Sequence, residues 1–149
     1  MRAEGLGMRV VLPRTGVVIS AEGGALEKML PPFKLGVGGP VAGGRQYVPW
    51  VHLDDVAGAL LFLLDGDASG AYNVTAPEPV TNRELSKALG RALHRPAVAP
   101  VPSAALKLLY GEMGRIVTTG VRAVPRRLLE EGYSFRWPEL DSALESSVG

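Results

Sequence analysis

Apolar positions form short β-type runs that alternate with helical stretches over the first 95 residues, after which helical stretches dominate. The β-type runs predict three strands, at residues 8–19, 46–52 and 71–75. The intervening patterns predict three helices, at residues 21–30, 54–65 and 81–94. Because strands and helices alternate along the chain, we expect an α/β fold whose strands are mainly parallel.

Local signals predict where two of these helices begin or end. Thr81 and Glu84 have the capping-box spacing, in which the two side chains bond the free N–H groups of a helix start. Pro31 and Pro32 should end the helix that begins at residue 21, because proline lacks an N–H and its ring crowds the preceding turn.

Asp54 and Asp55 stand where the second strand meets the most apolar helix of the chain. One of them is expected to be the N-cap, since a carboxylate accepts bonds from the first N–H groups of a helix. A carboxylate pair could also serve chemistry, but adjacent acids at a helix start are more often caps. Residues 56–64 are apolar or Gly at every position, so we expect this helix to be buried on most sides.

The pattern changes at about residue 96. Residues 96–102 predict an extended segment, and helices are predicted at residues 103–110, 112–119, 125–131 and 139–145, with a short strand at 134–137. Pro125 at the first helical position and Gly132 beyond the last one support the third of these helices. The sequence therefore predicts two parts, residues 1–95 and a small, mostly helical α+β domain at residues 96–149.

Composition excludes several classes of partner. The chain has 149 residues with 16 basic and 15 acidic side chains, and a net charge of +1 gives no electrostatic case for nucleic acid or an anionic membrane. It has no cysteine, which excludes disulfides and thiolate metal sites and makes the cytoplasm the default location. The longest apolar run, residues 56–64, is far below the roughly 20 residues that span a bilayer. We find no spacing of metal ligands.

Glycine-rich motifs for cofactor phosphates are also missing. A dinucleotide fingerprint needs glycine at i, i+2 and i+5 between a strand and a helix. The glycine pairs at positions 5/7 and 36/38 both lack the third glycine. Residues 39–45 imitate the start of a phosphate loop, but Arg45 replaces the lysine and a strand is predicted where a helix is needed. A flexible Gly-rich loop is the preferred interpretation.

Several short segments nevertheless occur in an order typical of one family. The most specific is Trp50-Val-His-Leu-Asp-Asp55, and the others lie at residues 14–18, 24–36, 38–40, 44–46, 72–77, 95–96, 125–129 and 132–135. Together they resemble the C-terminal half of extended short-chain dehydrogenase/reductases of the NAD-dependent epimerase/dehydratase type. The similar subfamily ends in a domain of unknown function, and some members carry a cell-division-inhibitor-like label.

This resemblance implies that residues 1–95 form the C-terminal part of a Rossmann-like sheet and that NAD or NADP is the cofactor. Catalysis in the superfamily needs a tyrosine followed four residues later by a lysine, which lowers the pKa of the phenol. The residues at that spacing from the four tyrosines here are Val51, Ala76, Gly114 and Trp137. We therefore expect an N-terminal fragment to carry the fingerprint and the catalytic pair, and this chain alone to be inactive.

Two functions remain open from the sequence. In the first, the chain is the substrate-side half of an NAD(P)-dependent epimerase- or oxidoreductase-like protein, completed by an N-terminal fragment. In the second, it is a stand-alone, non-catalytic binding or oligomerisation module. Half of such a fold should leave apolar surface bare, so a homo-oligomer is the expected state if no N-terminal fragment covers that surface.

Site residues are assigned by position in the resemblance. Thr15, Gly16 and Val17 are the candidate cofactor-side residues, and the candidate substrate-side residues are Arg14, Arg45, Gln46, Trp50 and His52. No catalytic residue is assigned.

Structural alternatives stand beside these assignments. Arg14 could form a salt bridge at the sheet edge, Trp50 could belong to the core, and a structural hydrogen bond is favoured for His52. Val17 and Val48 stand where nucleotide-sugar members have Asn and Arg, which argues against a nucleoside-diphosphate sugar as substrate.

Overall fold

The computed structural model of the chain describes residues 4–102 and 119–149. Six strands lie in the order β1 (Val11–Thr15), β2 (Val17–Ile19), β3 (Tyr47–Val48), β4 (Trp50–His52), β5 (Gly70–Val74) and β6 (Val80–Thr81). The helices within these ranges are α1 (Gly24–Lys34), α2 (Leu53–Asp65), α3 (Asn82–Ala92), α4 (Arg126–Glu130) and α5 (Leu140–Val148). Short 3-10 turns occur at Glu4–Leu6 and Ala42–Gly44. The predicted α/β class is confirmed.

The strands pair in three short ladders. β1 pairs with β5 and β2 pairs with β4, both in parallel, whereas β3 and β6 are antiparallel. The predicted strand at residues 8–19 is one extended segment that changes its partner at Gly16. The Gly16 N–H donates to the Val74 carbonyl at 3.0 Å, and the Val17 N–H donates to the Pro49 carbonyl at 2.7 Å. Proline at position 49 likewise divides the predicted strand at residues 46–52 into β3 and β4.

Two hydrophobic cores lie on opposite faces of the β2–β4 pair. Ile19 and Trp50 pack into one core, together with side chains of α1, α3 and α5. Val51 packs into the other, with side chains of α2, β5 and α4. Side chains alternate between the two faces of a strand, so neighbouring residues of β4 enter different cores. Both cores therefore include helices from the region after residue 96.

Helix α1 continues past the two prolines, so the prediction that it ends at residue 30 is wrong. Pro31 and Pro32 have no N–H to donate, but their carbonyls still accept hydrogen bonds. The Pro31 carbonyl accepts from the Leu35 N–H at 3.1 Å, and the Pro32 carbonyl accepts from the Val37 N–H at 3.0 Å. The buried side chain of Phe33 continues the apolar face of the helix into the core, which holds this last turn in place.

Two further predictions about local structure need correction. Residues 134–137 are irregular rather than a strand, because the N–H groups of Arg136 and Trp137 donate to the side chain of Asp55 and not to a neighbouring strand. Helix α2 is not buried on most sides: Leu61 and Leu64 are 61% and 67% exposed. At the end of this helix, the Arg9 guanidinium donates to the carbonyls of Leu63 at 2.9 Å and Leu64 at 2.7 Å. The helices predicted at residues 103–110 and 112–119 lie outside the described residues, apart from Thr119.

The capping box at Thr81 is confirmed. The Glu84 N–H donates to Thr81 Oγ1 at 3.3 Å, and the Thr81 N–H donates to the Glu84 carboxylate at 2.6 Å. The bonds that the Thr81 N–H and hydroxyl donate to the Glu84 carboxylate lower the pKa of Glu84 below its ordinary value. Within the described ranges, no helix has the length and apolar character needed to cross a membrane.

Helix α3 ends in a left-handed turn at His94. The His94 N–H donates to the Arg91 carbonyl at 3.0 Å and the Arg95 N–H donates to the Gly90 carbonyl at 2.9 Å, which is a Schellman pattern. His94 occupies its left-handed position with a φ of 52°, where glycine is the favoured residue.

We expect His94→Gly to raise the free energy of unfolding by about 1 kcal/mol, because it removes the clash of a Cβ in this conformation. Urea unfolding followed by circular dichroism measures the change. His94→Ala is the matched control, since it keeps the Cβ and should show no such gain. Equal stabilities for the glycine and alanine variants would contradict this account of the turn.

Candidate functional site

A cleft of about 400 Å³ lies at the carboxyl end of β1. Its walls are formed by Thr15, Gly16, Val17, Val18, Gly24, Ala25, Tyr47, Val48, Pro49 and Val121. Ligands of open parallel α/β sheets bind outside the carboxyl ends of the strands, which makes this cleft the candidate site. All three candidate cofactor-side residues, at positions 15–17, lie in its walls.

Gly16 is needed for the close packing behind this cleft. A Cβ at this position would lie 2.6 Å from the Pro49 carbonyl oxygen and 3.2 Å from Cγ2 of Thr75. Glycine therefore allows the β1–β2 segment to approach the chain at Pro49 closely enough for the Val17 hydrogen bond to form. The residue contributes shape to the cleft and no side-chain chemistry.

Val121, from the region after residue 119, forms one wall of the cleft. Gly120 has a φ of 59°, and a Cβ there would lie 2.7 Å from the Cβ of Gln46. This close approach places Val121 in the wall and the Arg122 guanidinium 5.6 Å from the centre of the Tyr47 ring. Sequence reasoning missed Tyr47 and Arg122. The glycine at position 120 was the available signal, but its meaning depends on a contact between distant segments.

The candidate substrate-side residues do not come together at this cleft. Arg14 and Arg45 are exposed and lie outside its walls. The Gln46 side-chain amide donates to the Val41 carbonyl at 3.0 Å. Trp50 is only 1% exposed, and its indole N–H donates to the Glu78 carbonyl at 3.2 Å, so it is a core residue.

His52 lies in a different recess, of about 300 Å³, beside α5. Its Nδ1 accepts from the Asp54 N–H at 3.1 Å, so His52 is the N-cap of α2. The expectation that Asp54 or Asp55 caps this helix is wrong, because both carboxylates are used elsewhere. His52 Nε2 is 3.2 Å from Ser146 Oγ, and its ring lies 5.1 Å from that of Trp137.

The grouping of Ser146, His52 and Asp54 has the residue types of a hydrolase triad but not its geometry. In a triad the histidine Nδ1 donates to the carboxylate. Here Nδ1 accepts a backbone N–H, which leaves its proton on Nε2, and the Asp54 carboxylate oxygen is 3.7 Å away. His52 is therefore held as a structural cap and does not activate the serine.

Asp55, at the start of α2, is the main polar group that binds residues 133–137 of the C-terminal segment. Its side chain is almost fully buried, and it accepts the N–H groups of Arg136 at 2.7 Å and Trp137 at 2.9 Å. The Tyr133 hydroxyl lies 3.1 Å from the Asp55 carbonyl and 3.3 Å from its carboxylate. Asp54 adds an acceptor for the indole N–H of Trp137 at 3.0 Å. The two aspartates thus fasten residues 133–137 to the start of α2.

A second polar cluster joins α4 to β5. The Tyr72 hydroxyl donates to Glu131 at 2.6 Å and accepts from Arg127 at 2.7 Å, and the Arg127 guanidinium lies 3.9 Å from the Tyr72 ring centre. Arg127 also donates to the carbonyls of Ser69 and Ala71, both at 3.0 Å. The bond to Glu131, followed by burial, raises the pKa of Tyr72.

The phenol of Tyr133 predicts how stability depends on pH in the alkaline range. Burial first, and then the adjacent Asp55 carboxylate, raise its pKa from 10.0 to about 12. The unfolded chain therefore loses this proton before the folded chain does. Stability contributed by the neutral phenol is complete below about pH 10 and is lost as the pH rises through 12.

We expect Tyr133→Phe to flatten this alkaline decline in the free energy of unfolding, measured by urea unfolding at a series of pH values. The decline should shrink rather than vanish, because Tyr72 keeps its own raised pKa. An unchanged slope in the variant would show that Tyr133 does not cause it.

The parts of the chain that the structure describes contain no metal-ion site. No group of three or more His, Asp or Glu side chains there could hold a metal ion.

Comparison with known proteins agrees with the fold. The family model "Domain of unknown function (DUF1731)" matches residues 101–147. Epimerase family protein SDR39U1 of Mus musculus is 44% identical over 99% of this chain and 51% of that protein. Epimerase family protein SAR0825 of Staphylococcus aureus is 38% identical over 97% of this chain and 49% of that protein. The chain spans about half the length of the curated relatives it matches.

Solved structures give the same result. The crystal structure of human epimerase family protein SDR39U1 (isoform 2) with NADPH has a TM-score of 0.87 and 40% identity, over 93% of this chain and 48% of that one. A nucleoside-diphosphate-sugar epimerase from Pseudomonas aeruginosa has a TM-score of 0.73 at 20% identity, over 99% of this chain and 50% of that one, and shares the fold.

These matches agree on the class: over nearly its whole length, the chain is similar to the C-terminal half of an extended short-chain dehydrogenase/reductase. More particularly, the chain is similar to epimerase family proteins, and its residues 101–147 match DUF1731.

Proposed function

We propose that this chain is the substrate-side half of an NAD(P)-dependent epimerase- or oxidoreductase-like protein. The cleft at the carboxyl end of β1 is the observation that carries this proposal, because its walls come from both Thr15–Gly16–Val17 and Val121. The human relative was crystallised with NADPH, which supports a nicotinamide dinucleotide as the cofactor. The absence of cysteine supports a cytoplasmic location.

The residues present fit one end of such a cofactor and not the whole molecule. Thr15 supplies a hydroxyl, and Val17 and Pro49 supply an apolar wall, which suits a nicotinamide ring. The pyrophosphate needs a glycine-rich turn at a helix start, and the sequence has no such fingerprint. When bound, the cofactor supplies hydride transfer. The contribution of this chain is to position the substrate against it and to exclude water.

The chain alone should neither bind the dinucleotide tightly nor turn over substrate, because the Tyr–Lys pair is missing from its sequence as well. We propose that an N-terminal fragment of the same family supplies both. The test is a fluorescence titration of NADPH and NADH into this chain, with and without the separately produced N-terminal half of the human relative.

We expect micromolar binding only in the mixture. Thr15→Val should weaken that binding and keep the fold, because it replaces an exposed hydroxyl by a methyl of the same shape. The matched control is Leu35→Ala, an exposed position outside the cleft. Micromolar affinity of this chain without the added half contradicts the proposal.

A stand-alone binding or oligomerisation module is the second candidate, favoured by the exposed leucines of α2. The DNA upstream of Met1 discriminates between the two. A reading frame that encodes a glycine fingerprint and a Tyr–Lys pair supports the enzyme half, and its absence supports the stand-alone module.

A further inference from the structure

We infer that the cleft beside Thr15 takes a small, largely apolar carbonyl compound or alcohol with at most one anionic group, and not a nucleoside-diphosphate sugar. This inference rests on the proposed function, because it assumes that the cleft holds the substrate next to the nicotinamide ring. It is carried by the chemistry of the walls and by the position of one arginine.

None of the described residues that line the cleft has a charged side chain. Most of the lining consists of aliphatic side chains such as Val17, Val48 and Val121, together with the ring of Pro49. Thr15 and Tyr47 contribute hydroxyls, and these are the polar side chains of the lining. Two hydroxyls can donate to a carbonyl or accept from an alcohol, and the remaining surface suits a hydrocarbon body.

A diphosphate does not suit these walls. Its two negative charges have to be paired with cations or several N–H donors once they leave water. Arg14 and Arg45 are the arginines nearest in sequence to the cleft strands, but neither contributes to its walls. A diphosphate placed between valines would therefore lose its hydration without compensation.

Arg122 supplies one positive charge at the rim. Its guanidinium lies 5.6 Å from the centre of the Tyr47 ring, and Tyr47 is 37% exposed. A single carboxylate on an apolar substrate can reach this arginine while the rest of the molecule stays among the valines. The cleft volume of about 400 Å³ lies within the range of pockets for small molecules.

The test uses the full chain with labelled valine and leucine methyl groups, followed by NMR. The probes are 2-acetylnaphthalene, which is neutral, 2-naphthoate, which has one carboxylate, and UDP-glucose. Both naphthalene compounds should shift the methyl signals of Val17, Val48 and Val121, and UDP-glucose should not. The methyl groups of Leu35, which is exposed and lies outside the cleft, report non-specific binding.

Arg122→Gln separates the roles of charge and shape. It should weaken 2-naphthoate about threefold to fivefold and leave 2-acetylnaphthalene unchanged. Arg126→Gln is the matched control, because Arg126 is an exposed arginine of α4 and should change neither affinity. The inference is overturned if UDP-glucose shifts the cleft valines at lower concentration than 2-naphthoate, or if the naphthalene probes shift only the leucines.

Failure here and failure of the proposed function are distinguishable. The probe experiment needs no nicotinamide and no N-terminal half. If the added N-terminal half produces NADPH binding and UDP-glucose shifts the cleft valines, the proposed function stands and the apolar substrate is ruled out. If the naphthalene probes bind the cleft but the added N-terminal half produces no NADPH binding, the cleft is an apolar ligand site and the proposed function is ruled out.

Discussion

Asp55→Ala should lower the free energy of unfolding by about 3 kcal/mol or more, the largest effect that we expect from a single substitution in this chain. The carboxylate is buried and accepts the N–H groups of Arg136 and Trp137 as well as a contact from the Tyr133 hydroxyl. Each buried donor left without an acceptor costs about 1–3 kcal/mol. Urea unfolding followed by circular dichroism measures the loss.

Asp54→Ala is the matched control for this substitution. Its side chain is about half exposed, accepts the Trp137 indole N–H and lies 3.5 Å from the Arg136 guanidinium. Removing it should cost about 1 kcal/mol or less, because water can replace exposed contacts.

Asp55→Asn keeps the shape and one acceptor oxygen and should fall between the two alanine variants. This variant keeps the prediction testable if Asp55→Ala does not fold. A loss below about 1 kcal/mol for Asp55→Ala would refute the central role of this carboxylate.

The sequence predicted those parts of the fold that depend on neighbouring residues. The box at Thr81 and Glu84 formed as expected, because both partners lie within one turn of the same helix. The three strands predicted within the first 95 residues formed close to their expected positions, since their pattern reflects which side of each residue is buried. Predictions failed where a side chain bonds a group that is distant in sequence and not the neighbouring group expected from the local pattern. Asp54 or Asp55 was expected to cap the helix that they begin, but Asp55 binds N–H groups about 80 positions further along the chain.

The same distinction applies to the candidate site. Thr15, Gly16 and Val17 could be proposed from the sequence because the resemblance assigns these positions, and the structure places them in the walls of the cleft. Tyr47 and Arg122 could not be predicted, because the wall at Val121 exists only where Gly120 lies against Gln46. Neither residue has a sequence signal until that contact is known. His52 and Trp50 show the reverse: their residue types suggested ligand binding, but a helix cap and the core use them.

The second large effect concerns assembly. We expect light scattering at low micromolar concentration to show a homo-oligomer, most simply a two-fold dimer, and the dye ANS to bind any fraction that stays monomeric. Leu60, Leu61 and Leu64 are exposed on α2, and Leu60 and Leu64 line a groove of about 430 Å³ against β1. Among the described residues, β1 pairs only with β5, so its other edge is unpaired, although Pro13 at the centre of that edge has no N–H to donate. The strand edge and the leucines form one continuous surface for a partner.

The double variant Leu60→Lys/Leu64→Lys should dissociate this assembly. Burial of each leucine contributes about 1.5–3 kcal/mol, so losing both raises the dissociation constant by about 100-fold or more. Leu35→Lys is the matched control, because it adds a charge at an exposed leucine far from the groove in sequence and should leave the mass unchanged. An added N-terminal half should compete for the same surface, because either partner buries the same leucines. A monomer that does not bind ANS would show that the surface needs no partner, and an oligomer unaffected by the double variant would place the interface elsewhere.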